Sequence, residues 1–178
     1  MGTSRSVAAV EAHAGRPPAS ALSDLLDDLM RLLMGLPNQV YCARPVRASG
    51  SIGAHVRHVL DHVAALVAAS PCTPMSYDHR ARGTPVESDS HAAVRELLRL
   101  NAALERWGGS SLDSPMAVNS MISDDGRTVT GWSTAGRELA FVVSHTIHHQ
   151  AIIAVLLELQ GYEVESERFG YAPSTPLT

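Results

Sequence analysis

Nine histidines stand in this 178-residue chain. Six of them fall in two short stretches: His55, His58 and His62, then His145, His148 and His149. Imidazole is a neutral nitrogen ligand near pH 7 and a proton carrier just below it, so such clusters point to metal binding or proton transfer. At about 100° per residue, Val142, His145, His149, Ile152 and Leu156 fall within about one 80° sector of a helix. His145 and His149 then project together from an apolar stripe, at the i, i+4 spacing that lets two imidazoles chelate one ion. His148 lies about 60° to one side of His145. The competing reading is a pair of hydrogen-bonded core histidines. Thr146 stands where a zinc protease helix carries its glutamate, which argues against peptidase chemistry of that type.

The first cluster is less decisive. Its apolar sector centres near Ile52, Val59 and Val63 and favours His55 and His62. A second small-residue face over Ala54, Ala65 and Ala69 would instead turn His58 inward. Periodicity does not choose among the three.

These side chains need helices to hold them. Leu22, Leu25, Leu26, Leu29, Leu32 and Leu33 recur at helical spacing, predicting a first helix over 20–36 that Gly35 and Pro37 stop. Residues 38–48, which follow Pro37 and hold Pro45, read as a loop. Ser49 or Ser51 caps a second helix that ends before Pro71. Residues 71–87 form a long connection, and a third helix follows over about 88–107. Alternation at Val118, Ser120 and Ile122, the Asp125-Gly126 turn and Thr128 to Thr130 predict a small β-hairpin. A fourth helix over about 133–160 carries the second histidine cluster and ends at Gly161. The expected architecture is all-α: a four-helix bundle with a small β-hairpin between helices 3 and 4. Residues 1–19 are expected as a flexible N-terminal tail and residues 20–178 as the metal-binding bundle.

Composition narrows the chemistry. The net charge is −4, and every one of the 14 basic residues is Arg. With no basic surplus, no nucleic-acid partner is expected. Without lysine, a Schiff-base lysine and a phosphate-loop lysine are both excluded. Cys42 and Cys72 fit a reducing compartment better than a disulfide framework. The longest apolar run, 151–157, is far short of the ~20 residues of a membrane span, and the N-terminus lacks a secretory apolar block. Met1-Gly2 and Ser6 match the loose myristoylation pattern, but no basic patch follows. The expectation is a soluble cytoplasmic protein with no membrane partner.

Ser51-Ile52-Gly53-Ala54-His55-Val56-Arg57-His58, followed by His145-Thr146-Ile147-His148-His149-Gln150, resembles the DinB/YfiT-like superfamily over residues 20–161. That resemblance implies a four-helix bundle with one metal-binding histidine on the second helix and a His-x-x-x-His pair on the last. Aligned on Ile52, it places the first ligand at His58 and the pair at His145 and His149. Gln150 departs from the pattern, since many members carry Arg there. Tyr77-Asp78-x-Arg80-x-Arg82, Gly136-Arg137-Glu138-Leu139 and Phe169-Gly170-x-Ala172-Pro173-Ser174-Thr175 look like one branch of the superfamily.

A site of this kind would hold one divalent ion, Zn or Ni, with an open coordination position. Such an ion lowers the pKa of bound water to about 7 or holds a thiolate. Glu138, two turns before His145, is a candidate for proton transfer or a buried partner of an arginine. Tyr77, Arg80 and Arg82 join it as candidate catalytic residues, the arginines suiting an anionic substrate. The plain alternative for the arginines is a solvated loop pairing with Asp78 or Glu87. Two functions compete. One is a metal-dependent enzyme acting on a small molecule, by transfer of a low-molecular-weight thiol or by hydrolysis. The other is a non-catalytic metal-binding bundle acting in stress response. Apolar residues around much of each helix, together with the resemblance, lead to the expectation of a homodimer.

Overall fold

A computed structural model describes residues 16–46, 48–70, 72–78, 83–107 and 111–176. The described residues form six helices and one two-stranded antiparallel sheet. The helices are α1 (Ser20–Gly35), α2 (Asn38–Cys42), α3 (Ile52–Val67), α4 (Pro85–Ser88), α5 (Ser90–Trp107) and α6 (Ala135–Glu158). The strands β1 (Pro115–Met121) and β2 (Thr128–Thr134) lie between α5 and α6.

The long helices form where the apolar period is sustained. α1 buries Leu22, Leu26, Leu29 and Leu33 and stops at Leu36, whose extended backbone precedes Pro37. Ser51 caps α3, its hydroxyl accepting from the Ala54 amide at 3.1 Å. α1 and α3 each pack against both α5 and α6, and the core is the aliphatic side chains between them. α6 is long and apolar enough by length and composition to cross a membrane. Here much of that apolar surface lies against α1 and α3. Gln150 is fully buried in that contact and donates to the Leu25 carbonyl of α1 at 2.9 Å.

Two short helices stand where the sequence reading places only loops, so the described chain has six helices rather than four. Neither spans enough residues to show a period. Both are held by contacts from afar: the buried Tyr41 hydroxyl of α2 donates to the Val86 carbonyl of α4 at 2.6 Å. Asn38 also bonds across the α4–α5 turn, accepting from the Ser90 amide and donating to the Ser88 carbonyl.

The hairpin turns at Gly126, which adopts φ +85°. Its register pairs Met116 with Ser133, Val118 with Gly131 and Ser120 with Val129. On the other side of β1, the Met75 amide donates to the Ala117 carbonyl and the Asn119 amide donates to the Met75 carbonyl. Asp78 accepts from the Met121 amide at 2.6 Å. These bonds fix the short segment that carries Tyr77. Residues 1–15, most of the expected tail, lie outside the described residues. Arg16 pairs with Asp24 at 2.8 Å, and Ala19 is buried. Cys42 and Cys72 are free and exposed.

Gly53 sits where α3 meets α2 and α4. A β-carbon there would collide with the Glu87 carbonyl and lie 2.8 Å from the Tyr41 ring. Gly53→Ala is expected to lower the unfolding free energy by about 1–3 kcal/mol in urea titration. Gly35→Ala, which meets nothing within 4 Å, should not lower it.

Candidate metal centre

α3 and α6 face one another, and their histidines meet in the seam. The Nε2 atoms of His58 and His145 lie 2.9 Å apart. At that distance two imidazole nitrogens share a proton or a cation. His62 is 4% exposed, and its Nδ1 is 2.9 Å from the His58 carbonyl. A carbonyl accepts, so His62 Nδ1 carries the hydrogen and the lone pair of the neutral ring is on Nε2. A backbone carbonyl bonded to one ring nitrogen is the arrangement that orients a metal-bound histidine. His58, His62 and His145 each bring a ligand nitrogen within 4.8 Å of the others, close enough to hold one ion.

His149 lies beside this group, its ring centroid 4.6 Å from those of both His58 and His145. Its Nδ1 is 3.0 Å from Nδ1 of His55, so one of those two nitrogens donates to the other. The nitrogen of His149 left to bind a metal is therefore Nε2. Burial first, then the adjacent His145, His55, His148 and His62, push the His149 pKa down to about 3. Burial, with a contribution from His148, also lowers that of His55. His55 Nε2 is buried with no hydrogen-bond partner among the described residues. His148 is exposed, 5.3 Å from the His149 ring.

Two aromatic rings flank the histidines. Tyr77 stacks on His62 at 4.9 Å and 7°, and Phe141 stacks on His145 at 5.6 Å and 22°. The Tyr77 hydroxyl donates to Glu138 Oε2 at 3.0 Å, and Ser133 donates to Oε1 at 2.6 Å. Glu138 is 4% exposed, with the Arg137 guanidinium 3.6 Å from Oε1. Burial, then the Glu138 charge and hydrogen bond, push the Tyr77 pKa well above its ordinary value. Tyr77 is thus a donor near neutral pH and not a nucleophile.

Of the residues singled out from sequence, His58, His145 and His149 meet in one cluster, and Tyr77 and Glu138 meet beside it. Arg80 and Arg82 lie outside the described residues. Sequence reasoning left His62 open and missed Phe141 and Ser133. His62 follows His58 by four, and Phe141 precedes His145 by four, so one-turn spacing was the available signal. Ser133 reaches Glu138 only because β2 runs directly into α6.

The family model of the DinB superfamily matches residues 21–153, well over half of the chain. The chain is also 38% identical over 105 residues to "FK506-binding protein 5" of Rhizopus delemar. That alignment covers 58% of this chain and 27% of the fungal protein, so the chain matches about a quarter of that protein's length. No solved structure matches the chain.

His55 and His149 titrate low in the fold, whereas in the unfolded chain each returns to about 6.5. Below about 6.5 the unfolded chain binds protons that the fold refuses, so the stability is complete above that pH and is lost as the pH falls toward 3. In chelator-treated protein the thermal midpoint should drop from about pH 7 to about pH 4, and His149→Gln should flatten the drop. An unchanged slope in that variant would remove His149 as its source.

Proposed function

Because the chain belongs to the DinB superfamily, we propose that it is a divalent-metal-dependent enzyme acting on a small molecule, by thiol transfer or hydrolysis. α1, α3, α5 and α6 make the four-helix bundle of this reading. The convergence of imidazoles from α3 and α6 is the observation that carries it. Zn or Ni suits an all-imidazole donor set, because both accept borderline nitrogen ligands. His58 and His145 are common to both candidate ligand sets. The third place falls to His149 on the family pattern and to His62 on the geometry.

When bound, the ion supplies Lewis acidity to the substrate or to a thiol. The chain's own groups do the rest. Glu138, buried between the Tyr77 and Ser133 hydroxyls, is the group proposed to accept a proton. Tyr77 donates a hydrogen bond and covers His62. Arg80 and Arg82, following Tyr77 and Asp78 in the chain, are assigned to an anionic substrate. The buried Glu138–Tyr77–Ser133 group beside the histidines supports an enzyme over a non-catalytic metal-binding bundle in stress response. A cytoplasmic location without nucleic-acid or membrane partners is part of the proposal, and the net charge of −4 supports the exclusion of nucleic acid. Exposed Met34, Leu98, Val155 and Leu159 support a homodimer.

Metal analysis by mass spectrometry should find about one Zn or Ni per chain. His58→Ala and His145→Ala should each reduce it to roughly a tenth or less. The third ligand is whichever of His62→Ala and His149→Ala behaves the same way. Thiol transfer to an electrophilic arene and ester hydrolysis test the activity. Turnover should vanish with a chelator and fall about 100-fold or more in Glu138→Gln. Metal-loaded protein without turnover in either assay would leave a binding bundle. Sedimentation at micromolar concentration should give a dimer, and a monomer there ends that proposal.

A further inference from the structure

Tyr77 and Phe141 have a second role open to them. They touch the histidines and also line a surface cleft of about 330 Å³ between the hairpin and the start of α6. Val118 and Val129 line its hairpin side, and Arg137 and Glu138 of α6 also line it. That volume is at the lower end of small-molecule sites, so a ligand of one ring and a short chain is the size that fits.

The strand register explains the opening. Side chains alternate across a hairpin, so Val118, Ser120, Val129 and Ser133 share the face directed at the cleft, with Gly131 between them. Trp132, between Gly131 and Ser133, also lines the cleft and is 84% exposed. Gly131 contributes no side chain, and a β-carbon added there would meet nothing within 4 Å. The gap is therefore in the wall of the cleft itself.

Its chemistry is mixed in a specific way. The two valines and two aromatic rings offer an apolar body nothing polar to strip of water. Both Glu138 oxygens already accept hydrogen bonds, from Ser133 and Tyr77, and the carboxylate is buried. Arg137 is the one basic side chain lining the cleft among the described residues. Its guanidinium carbon lies 5.4 Å from the Phe141 ring centroid, and its side chain is 64% exposed. The guanidinium has five N–H donors, and the Glu138 contact at 3.6 Å is too long to take up more than a fraction of them.

We infer that this cleft binds the body of a small organic acid, its apolar part against Val118, Val129 and Phe141 and its anionic group on Arg137. The inference rests on the metal-dependent reading above, for which it supplies the substrate class. The Tyr77 and Phe141 rings that line the cleft also stack on His62 and His145, so they border both the cleft and the histidines. A substrate would therefore seat its acid end here and reach past the rings with its reactive end.

The probe is 3-(4-fluorophenyl)propionate, followed by ¹⁹F line broadening against the metal-loaded full chain. A dissociation constant on the order of 1 mM is expected for a ligand this small. Arg137→Gln should weaken it about tenfold or more, as loss of a charge-assisted contact does. Gly131→Val should abolish binding with the thermal midpoint unchanged, because the new side chain enters open space. The neutral amide of the probe should bind as weakly as the acid binds to Arg137→Gln. Binding by His58→Ala protein separates the two readings: retention there supports the cleft even if the metal reading fails. No binding at about ten times the expected constant, or equal affinity in wild type, Gly131→Val and Arg137→Gln, would overturn the inference.

Discussion

The contact between His58 and His145 across the α3–α6 seam constrains everything around it. Two imidazoles with Nε2 atoms 2.9 Å apart cannot both be cations, and His62 and His149 crowd the same space. Without a metal, such a cluster must stay largely neutral, which costs stability in acid. A divalent ion would be held by the same imidazoles through their lone pairs, and its binding would release any proton they share. Both states require α3 and α6 to hold a fixed axial register, because a shift of one residue would rotate each ring by about 100°. The buried Gln150–Leu25 bond and the close approach at Gly53 restrain α6 and α3 respectively.

Much of this was legible in the chain. The leucines of α1, the His145/His149 spacing on α6 and the Asp125-Gly126 hairpin turn each announced their element by local period or turn chemistry. α2 and α4 were not legible, because four or five residues carry no period and their stability comes from Tyr41 and Asn38 reaching across the fold. The histidines of α3 show the same limit at the site. Three of them occur within eight residues, and the apolar sector of the helix is broad enough to admit any. What distinguishes them is tertiary: His62 meets the His58 carbonyl and the Tyr77 ring, His58 meets His145, and His55 meets His149. The Glu138–Tyr77 bond joins residues 61 positions apart, and no spacing rule anticipates it.

Glu138 shows how the fold accommodates a buried carboxylate and uses it. It sits in the first turn of α6, where the helix dipole favours negative charge. Two hydroxyls donate to it, and Arg137 stands close by. Those partners come from three places: the segment after α3, the end of β2 and α6 itself. The carboxylate is therefore the point where the hairpin, the Tyr77 segment and the histidine helix are tied together. Because Tyr77 stacks on His62, displacement of the hairpin would be transmitted through Glu138 and Tyr77 to the histidine cluster. The hairpin is thus more than a connection between α5 and α6. Its inner face holds the polar cover of the histidines in place, and its glycine leaves the opening beside that cover.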